Sequence, residues 1–429
     1  MFINSFFLYL KIWLIIEIIN WFRYLFIYIN IIEPKFTKFK KDDMLKIINR
    51  LDKLNKDEIN YIISGCVIYD KITHTDIQIE NFNIKNMTKN EIINLIGYSL
   101  FGLEISDIYS SEKYSIILGL VNKIESKLEY KFESSLSDRY LYRKWGSNFI
   151  KFSFRPLILQ IPLKIFILFI HLLFTIVMGF TWKQINKIGF LTNKFDPNKK
   201  NMIFIHGFGF GYIPYFLTLI ELSKKYNLII MVLPNISSYT YYGDINYIYF
   251  PPLSLISSTL YNFLESNNIN ETILLAHSFG TYITQFIRTD PRNKIFSKII
   301  LVDPIIFWIG CFKMSLHVEN PFIKKYPLAV YFIDNLLCFI IYQCLYLKYV
   351  CYRVMFGPDF WIYDASELSE HKNIIVVLEK NDYIIPAELI YNKIKNNVKC
   401  YYIDSNEFYH GTILMDTSHI QKLIEIIET

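Results

Sequence analysis

Three residue types that together can carry out nucleophilic catalysis stand far apart in the second half of this 429-residue chain. Ser278 lies in Ala276-His277-Ser278-Phe279-Gly280. Asp382 follows Leu378-Glu379-Lys380-Asn381, and His410 lies in Glu407-Phe408-Tyr409-His410-Gly411-Thr412. A serine hydroxyl is a poor nucleophile at neutral pH. It needs a base to take its proton, a carboxylate to orient that base, and N–H donors for the oxyanion that develops in acyl transfer. Ser278, Asp382 and His410 supply nucleophile, acid and base. The amide of Phe279, directly after the serine, is one candidate oxyanion donor. The amide of Phe208 is the other, set among Gly207, Gly209 and Gly211 where the backbone can approach a ligand closely.

The elements around these residues suit the task. Residues 272–276 form an apolar, strand-like run, and residues 281–287 space their apolar members as a buried helix does. A strand that becomes a helix within so few residues must bend sharply at Ser278. Ala276 and Gly280 are small because the two backbones pass close together there, and the helix N-terminus aims free N–H groups at whatever binds. The stretch therefore predicts a nucleophile elbow.

Apolar runs at 202–207, 228–234, 298–303, 373–379 and 400–404 predict further strands, with helices over 215–226, 253–266 and 413–427. Strands apolar on both faces and alternating with helices indicate an α/β fold with a mostly parallel central sheet flanked by helices. Asp303 also ends a strand near the elbow and is a rival to Asp382 as the acid. Its Asp303-Pro304 pair also suits a structural turn, so Asp382 is preferred; Glu379 and Asp404 are weaker candidates. His419, the nearest rival to His410, falls inside the closing helix. His206 and His277 flank the elbow and are expected to support it through hydrogen bonds. No metal-ligand spacing is present among them, and the serine chemistry calls for neither metal nor cofactor.

In that order of parts, residues 200–429 resemble the α/β-hydrolase family. The likeness rests on the His206-Gly207 after the first domain strand, Ala276-His277-Ser278-Phe279-Gly280, Leu301-Val302-Asp303-Pro304, the strand leading to Asp382, and His410-Gly411. The resemblance implies Ser278 as nucleophile, Asp382 as acid, His410 as base, and Phe208 with Phe279 as oxyanion donors. Ala276 departs from the glycine commonest at its position. The whole layout is similar to lipase-like, membrane-associated hydrolases. It implies a serine hydrolase cleaving carboxylic esters of apolar acyl groups. Acyl transfer or thioester hydrolysis would use the same residues, and a non-catalytic membrane-bound scaffold is the reading from another class.

Composition adds a membrane. The chain is 52% hydrophobic, with a positive mean hydropathy, and residues 1–34 predict a hydrophobic anchor or transmembrane helix, mostly apolar and aromatic from Phe2 to Ile32 and interrupted there by the charges of Lys11, Glu17 and Arg23. Residues 35–199 predict a helical accessory region that includes a second hydrophobic helix over 157–182. An apolar insertion over 305–372 interrupts the strand–helix alternation and predicts a helical lid above the elbow. The net charge of +6 is spread along the chain without a basic block, which excludes an obvious nucleic-acid groove. Six cysteines without paired spacing predict reduced, packed thiols. The expected partners are thus a lipid or other ester substrate and a membrane.

Overall fold

The computed structural model describes residues 2–31, 49, 51–76, 82–101, 103, 105–142, 154, 156–233, 236–237, 250–307, 366–369, 373–382, 384–404 and 410–429. Its centre is an eight-stranded sheet. The strands are β4 (Thr181–Ile185), β5 (Ile188–Thr192), β6 (Asn201–Ile205), β7 (Asn227–Val232), β8 (Thr272–His277), β9 (Phe296–Val302), β10 (Ile374–Glu379) and β11 (Lys399–Ile403). Across the sheet they run β11-β10-β9-β8-β6-β7-β5-β4. The six strands from β6 to β11 are parallel, whereas β5 pairs antiparallel with both β7 and β4.

Alternate side chains of each central strand feed two cores. Ile203 and Ile205 of β6 join Leu274 and Ala276 of β8 on one face, under α7 (Leu253–Ser266), α8 (Phe279–Arg288) and α9 (Ala387–Ile394). Met202 and Phe204 join Ile273 and Leu275 on the other, under α5 (Leu157–Leu172), α6 (Phe216–Lys225) and α10 (Ile420–Glu428). Burial on both faces explains why these strands read as unbroken apolar runs. Packing both faces at once also holds their carboxyl ends rigidly at one edge, where Ser278, Asp303 and Asp382 emerge.

The sheet begins before residue 200. Thr181–Ile185 and Ile188–Thr192 form a hairpin added to its edge, where the sequence suggested the tail of a hydrophobic helix and the end of a helical accessory region. Helix α5 ends at Leu172 and passes through a π-turn to Val177, so the helix stops short of residue 182. Asn186 and Lys187 make the hairpin turn with φ of 49° and 69°, a conformation usually given to glycine and therefore easily missed. Gly189 is required for packing instead: a side chain there would run into the Trp182 ring across the hairpin.

The accessory region is not wholly helical. Helices α2 (Lys56–Cys66), α3 (Lys89–Phe101) and α4 (Tyr114–Leu128) pack around a separate core with a small sheet of order β2-β1-β3. Its strands are β1 (Val67–Asp70), β2 (Thr75–Asp76) and β3 (Tyr140–Tyr142). They are too short to show a strand period, and β3 meets β1 only through tertiary contact. Arg139, just before β3, grips Asp70 of β1 from Nε and one terminal nitrogen at 2.7–3.0 Å. An ion pair of 2.7 Å between the buried Glu58 of α2 and the partly buried Lys393 of α9 ties this region to the main sheet.

Helix α1 spans Phe2–Ile31. Its Glu17 accepts the amide of Leu157 at 2.8 Å, so the acid in this apolar helix caps the start of α5. Among the described residues, two helical stretches are long and apolar enough to cross a membrane, Leu8–Asn30 and Leu157–Val177. The second is not free on all sides. Ile167, Ile170 and Phe174 pack into the sheet core, while Ile165, Phe166, Phe169 and Ile176 face outward and are exposed. Of the expected lid over 305–372, residues 308–365 and 370–372 lie outside the described residues. Its first residues, Ile305, Ile306 and Phe307, are buried in the core.

Candidate active site

The site is built at the end of β8. Ser278 lies between the last residue of β8 and the first of α8, with φ 49° and ψ −117°. So strained a backbone persists only where its surroundings hold it. The Ser278 amide donates to Val302 of β9 at 3.0 Å, and the Ser278 carbonyl accepts from both the amide and the hydroxyl of Thr281. Gly280 lets α8 cross directly over β6: a side chain there would collide with the carbonyl of Ile205. Ala276 is fully buried, its methyl group accommodated in the core below. Phe279 opens α8, so its amide is one of the first-turn N–H groups that a helix leaves without an internal acceptor. Phe208 stands across from it, the two rings 6.1 Å apart, while the flanking Gly207 and Gly209 amides donate to Tyr215 Oη and Ile236 O.

Asp382 and His410 arrive from the neighbouring strands. Asp382 sits in the turn after β10, its Oδ1 accepting the amides of Ile384 and Ile385 at 2.6 and 2.9 Å. This leaves Oδ2 for His410 Nδ1, 2.6 Å away. His410 Nε2 in turn lies 2.8 Å from Ser278 Oγ. With Nδ1 donating to the carboxylate, Nε2 is the acceptor for the serine hydroxyl. Ser278 is 7% exposed and the His410 side chain 6%, so the contact is screened from bulk water yet reachable from one side. An imidazole held this way can take a hydroxyl proton, with the carboxylate stabilising the resulting positive charge.

The other sequence candidates fall close by but make different contacts. Asp303 is fully buried at the end of β9, where its Oδ1 accepts the Glu379 amide at 2.9 Å and its Oδ2 the Gly411 amide at 2.7 Å. Glu379 accepts the amides of Thr412 and Ile413. Asp404 pairs with Lys380 at the surface. His419 precedes α10 rather than lying inside it and pairs loosely with Asp416.

His206 accepts the Leu233 amide at Nε2, so its Nδ1 donates to the Gly207 carbonyl at 2.7 Å. Complete burial pushes its pKa down to about 4 and keeps it neutral. His277 exchanges a 2.7 Å hydrogen bond with Tyr215 Oη and lies against His410, ring centroids 4.9 Å apart. Burial and the two neighbouring histidines hold it well below the ordinary range. Donor atoms of His277, Asp303 and His410 come within 4.8 Å of one another. The bonds to Tyr215, Gly411, Asp382 and Ser278 engage His277 Nδ1, Asp303 Oδ2 and both nitrogens of His410, while the buried Nε2 of His277 has no hydrogen-bond partner among the described residues. Tyr215 and the Gly411 amide are parts of the site that the sequence reading missed. Neither a 3₁₀ turn after β6 nor a glycine after a histidine announces such a role by itself.

The strand order, with its second strand antiparallel and a strand–serine–helix elbow at its centre, defines the α/β-hydrolase fold, and this chain has that fold. No protein-family model and no curated protein matches the sequence. Among solved structures the chain is similar to a membrane phospholipase A described as a bacterial virulence factor. That likeness has 10% identity and a TM-score of 0.46, covering 63% of this chain and 93% of the other. It is similar to a putative lipase from Acinetobacter baumannii at 15% identity and TM-score 0.45, covering 61% and 95%. It is also similar to the naproxen esterase of Bacillus subtilis at 11% identity and TM-score 0.45, covering 69% and 100%.

Proposed function

We propose that this protein is a serine hydrolase that cleaves carboxylic esters of apolar acyl groups at a membrane surface. The observation that carries the reading is the position of His410, within hydrogen-bond reach of Ser278 Oγ on one side and Asp382 Oδ2 on the other. In this mechanism His410 takes the Ser278 proton as Oγ attacks the ester carbonyl. The amides of Phe279 and Phe208 receive the developing oxyanion. Asp382 keeps the imidazole in the tautomer with Nδ1–H and stabilises the imidazolium. His410 then hands the proton to the leaving alkoxide. Water, activated by the same imidazole, releases the acyl group and restores Ser278.

The apolar substrate class is supported by the partly buried ring of Phe208, packed against the buried Phe279 that follows the serine. The membrane is supported by the two apolar helices and by the outward face of α5. The test is a fluorophosphonate probe with a graded series of p-nitrophenyl esters. Labelling that disappears in Ser278→Ala, with rates rising along the acyl chain, is the expected result. A folded protein that resists the probe would favour a scaffold without turnover.

A further inference from the structure

Two carboxyl groups buried beside the site have no part in the chemistry above. Asp303 and Glu379 are each 0% exposed, and they stand side by side at the ends of the adjacent strands β9 and β10. Their four oxygens are spent on main-chain amides. Asp303 Oδ1 accepts from Glu379 and Oδ2 from Gly411, at 2.9 and 2.7 Å. Glu379 Oε1 accepts from Ile413 and Oε2 from Thr412, at 2.7 and 3.2 Å. Three of these four amides belong to consecutive residues, and the residue just before them is His410.

We propose that Asp303 and Glu379 are positioning residues for His410: a buried carboxyl pair that grips the amides of Gly411, Thr412 and Ile413 and so sets the imidazole between Ser278 and Asp382. The inference rests on the reading of His410 as the base. The residue types follow from the bonding. An amide side chain at either position would put an NH2 group where one oxygen now accepts a main-chain N–H, leaving donor against donor in a dry site. A hydrocarbon would leave the loop amides without acceptors. Gly411 completes the grip. It has φ 79°, and any side chain on it would strike the His277 ring. The His410 backbone is thus pinned from behind while His277 backs its ring.

The groups facing the pair are Asp382, Tyr215, His277 and His410. Burial and the nearby negative charges raise Asp303 well above the usual carboxylate range, and burial pushes Glu379 up to about 8. The pair therefore retains a proton at neutral pH, and Asp382 is spared one further negative charge beside it.

The experiment uses the full chain in detergent micelles. Hydrogen exchange is followed at residues 411–413, and kcat and KM are measured separately on p-nitrophenyl butyrate for the native protein, Asp303→Asn, Glu379→Gln and the double variant. Native amides at 411–413 should exchange as slowly as those of β8; fast exchange there overturns the proposal without any variant having to fold. Each single variant should lose kcat about a hundredfold with KM held within about threefold, the scale of a small misplacement of a reacting group. The double variant should lose little more than either single one, because both act through one loop. Glu379→Asp, which keeps two acceptors, should recover part of the loss. Variants that keep kcat within about twofold, or whose loss falls entirely on KM, overturn the proposal. If the native protein shows protected amides but no turnover and no fluorophosphonate labelling, the hydrolase reading fails while the grip on the loop stands.

Discussion

His410 Nδ1 and Asp382 Oδ2 lie 2.6 Å apart, at the short end for a charge-assisted hydrogen bond. The other Asp382 oxygen is already occupied by two amides, so the carboxylate cannot rotate away. Asp382→Asn should keep the turn, because its amide oxygen can replace Oδ1. Its NH2 would then face Nδ1 and force the imidazole into the wrong tautomer. We expect kcat to fall by about 10³–10⁴-fold with little change in KM or in thermal stability. An ester assay beside a thermal melt checks this. A similar loss in Asp303→Asn with an unaffected Asp382→Asn would move the acid to the neighbouring strand.

Gly280 is a packing requirement. Its neighbour is the carbonyl of Ile205, main chain in the middle of the sheet, which cannot turn aside as a flexible side chain would. Gly280→Ala should therefore cost about 1–3 kcal/mol of stability through overpacking. It should also displace Ser278 enough to slow acylation. Urea unfolding gives the first effect and the rate of probe labelling the second; an unchanged midpoint would show that α8 shifts without penalty.

The buried ionisable groups predict how stability varies with pH. Glu379 keeps its proton to about pH 8 in the folded chain, whereas an ordinary carboxyl releases it near 4.5. Its contribution is therefore complete at low pH and fades as pH rises toward 8. His206 acts in the opposite sense: its pKa falls from 6.5 to about 4, so its contribution is full above 6.5 and is lost on acidification. Below pH 6.5 the two trends oppose each other. From 6.5 to 8 the carboxyl governs, and stability should decline by about 1.4 kcal/mol per pH unit for each retained proton. Glu379→Gln should flatten that limb in urea titrations at several pH values. A native protein that gains stability over this interval would contradict the assignment.

The outward face of α5 should rest on lipid. Ile165→Glu with Phe169→Glu places two charges on exposed positions that touch neither core nor site. Vesicle flotation should show binding weakened about tenfold or more, given the area each apolar side chain would bury. Hydrolysis of a short soluble ester should stay within about twofold of the native rate. Unchanged flotation would assign the membrane contact to α1 alone.

Much of the framework was legible in the chain. The runs at 202–205, 228–232, 272–277, 299–302 and 374–379 stand out because a parallel strand buried on both faces has no polar side to interrupt it. The elbow was legible because its constraint is local: a strand and a helix crossing within five residues require small neighbours around Ser278. The β4–β5 hairpin was not. Thr181, Lys183 and Gln184 are exposed or half-exposed, and its turn takes positive φ at Asn186 and Lys187 without a glycine to mark it.

The amino-acid order alone determined the α/β fold, the serine between strand and helix, and a short set of acids and histidines that could serve it. It could not rank Asp382 above Asp303 by contact, because both simply end apolar strands. Only the tertiary structure decided that Asp382 faces the imidazole while Asp303 and Glu379 turn to the main chain behind it. The reason is physical. Periodicity and turn chemistry act over a few residues and are written locally. The direction of a side chain at a strand's end depends on the twist of the sheet and on which neighbour's amides lie within about 3 Å, and the partners here are separated by long stretches of chain.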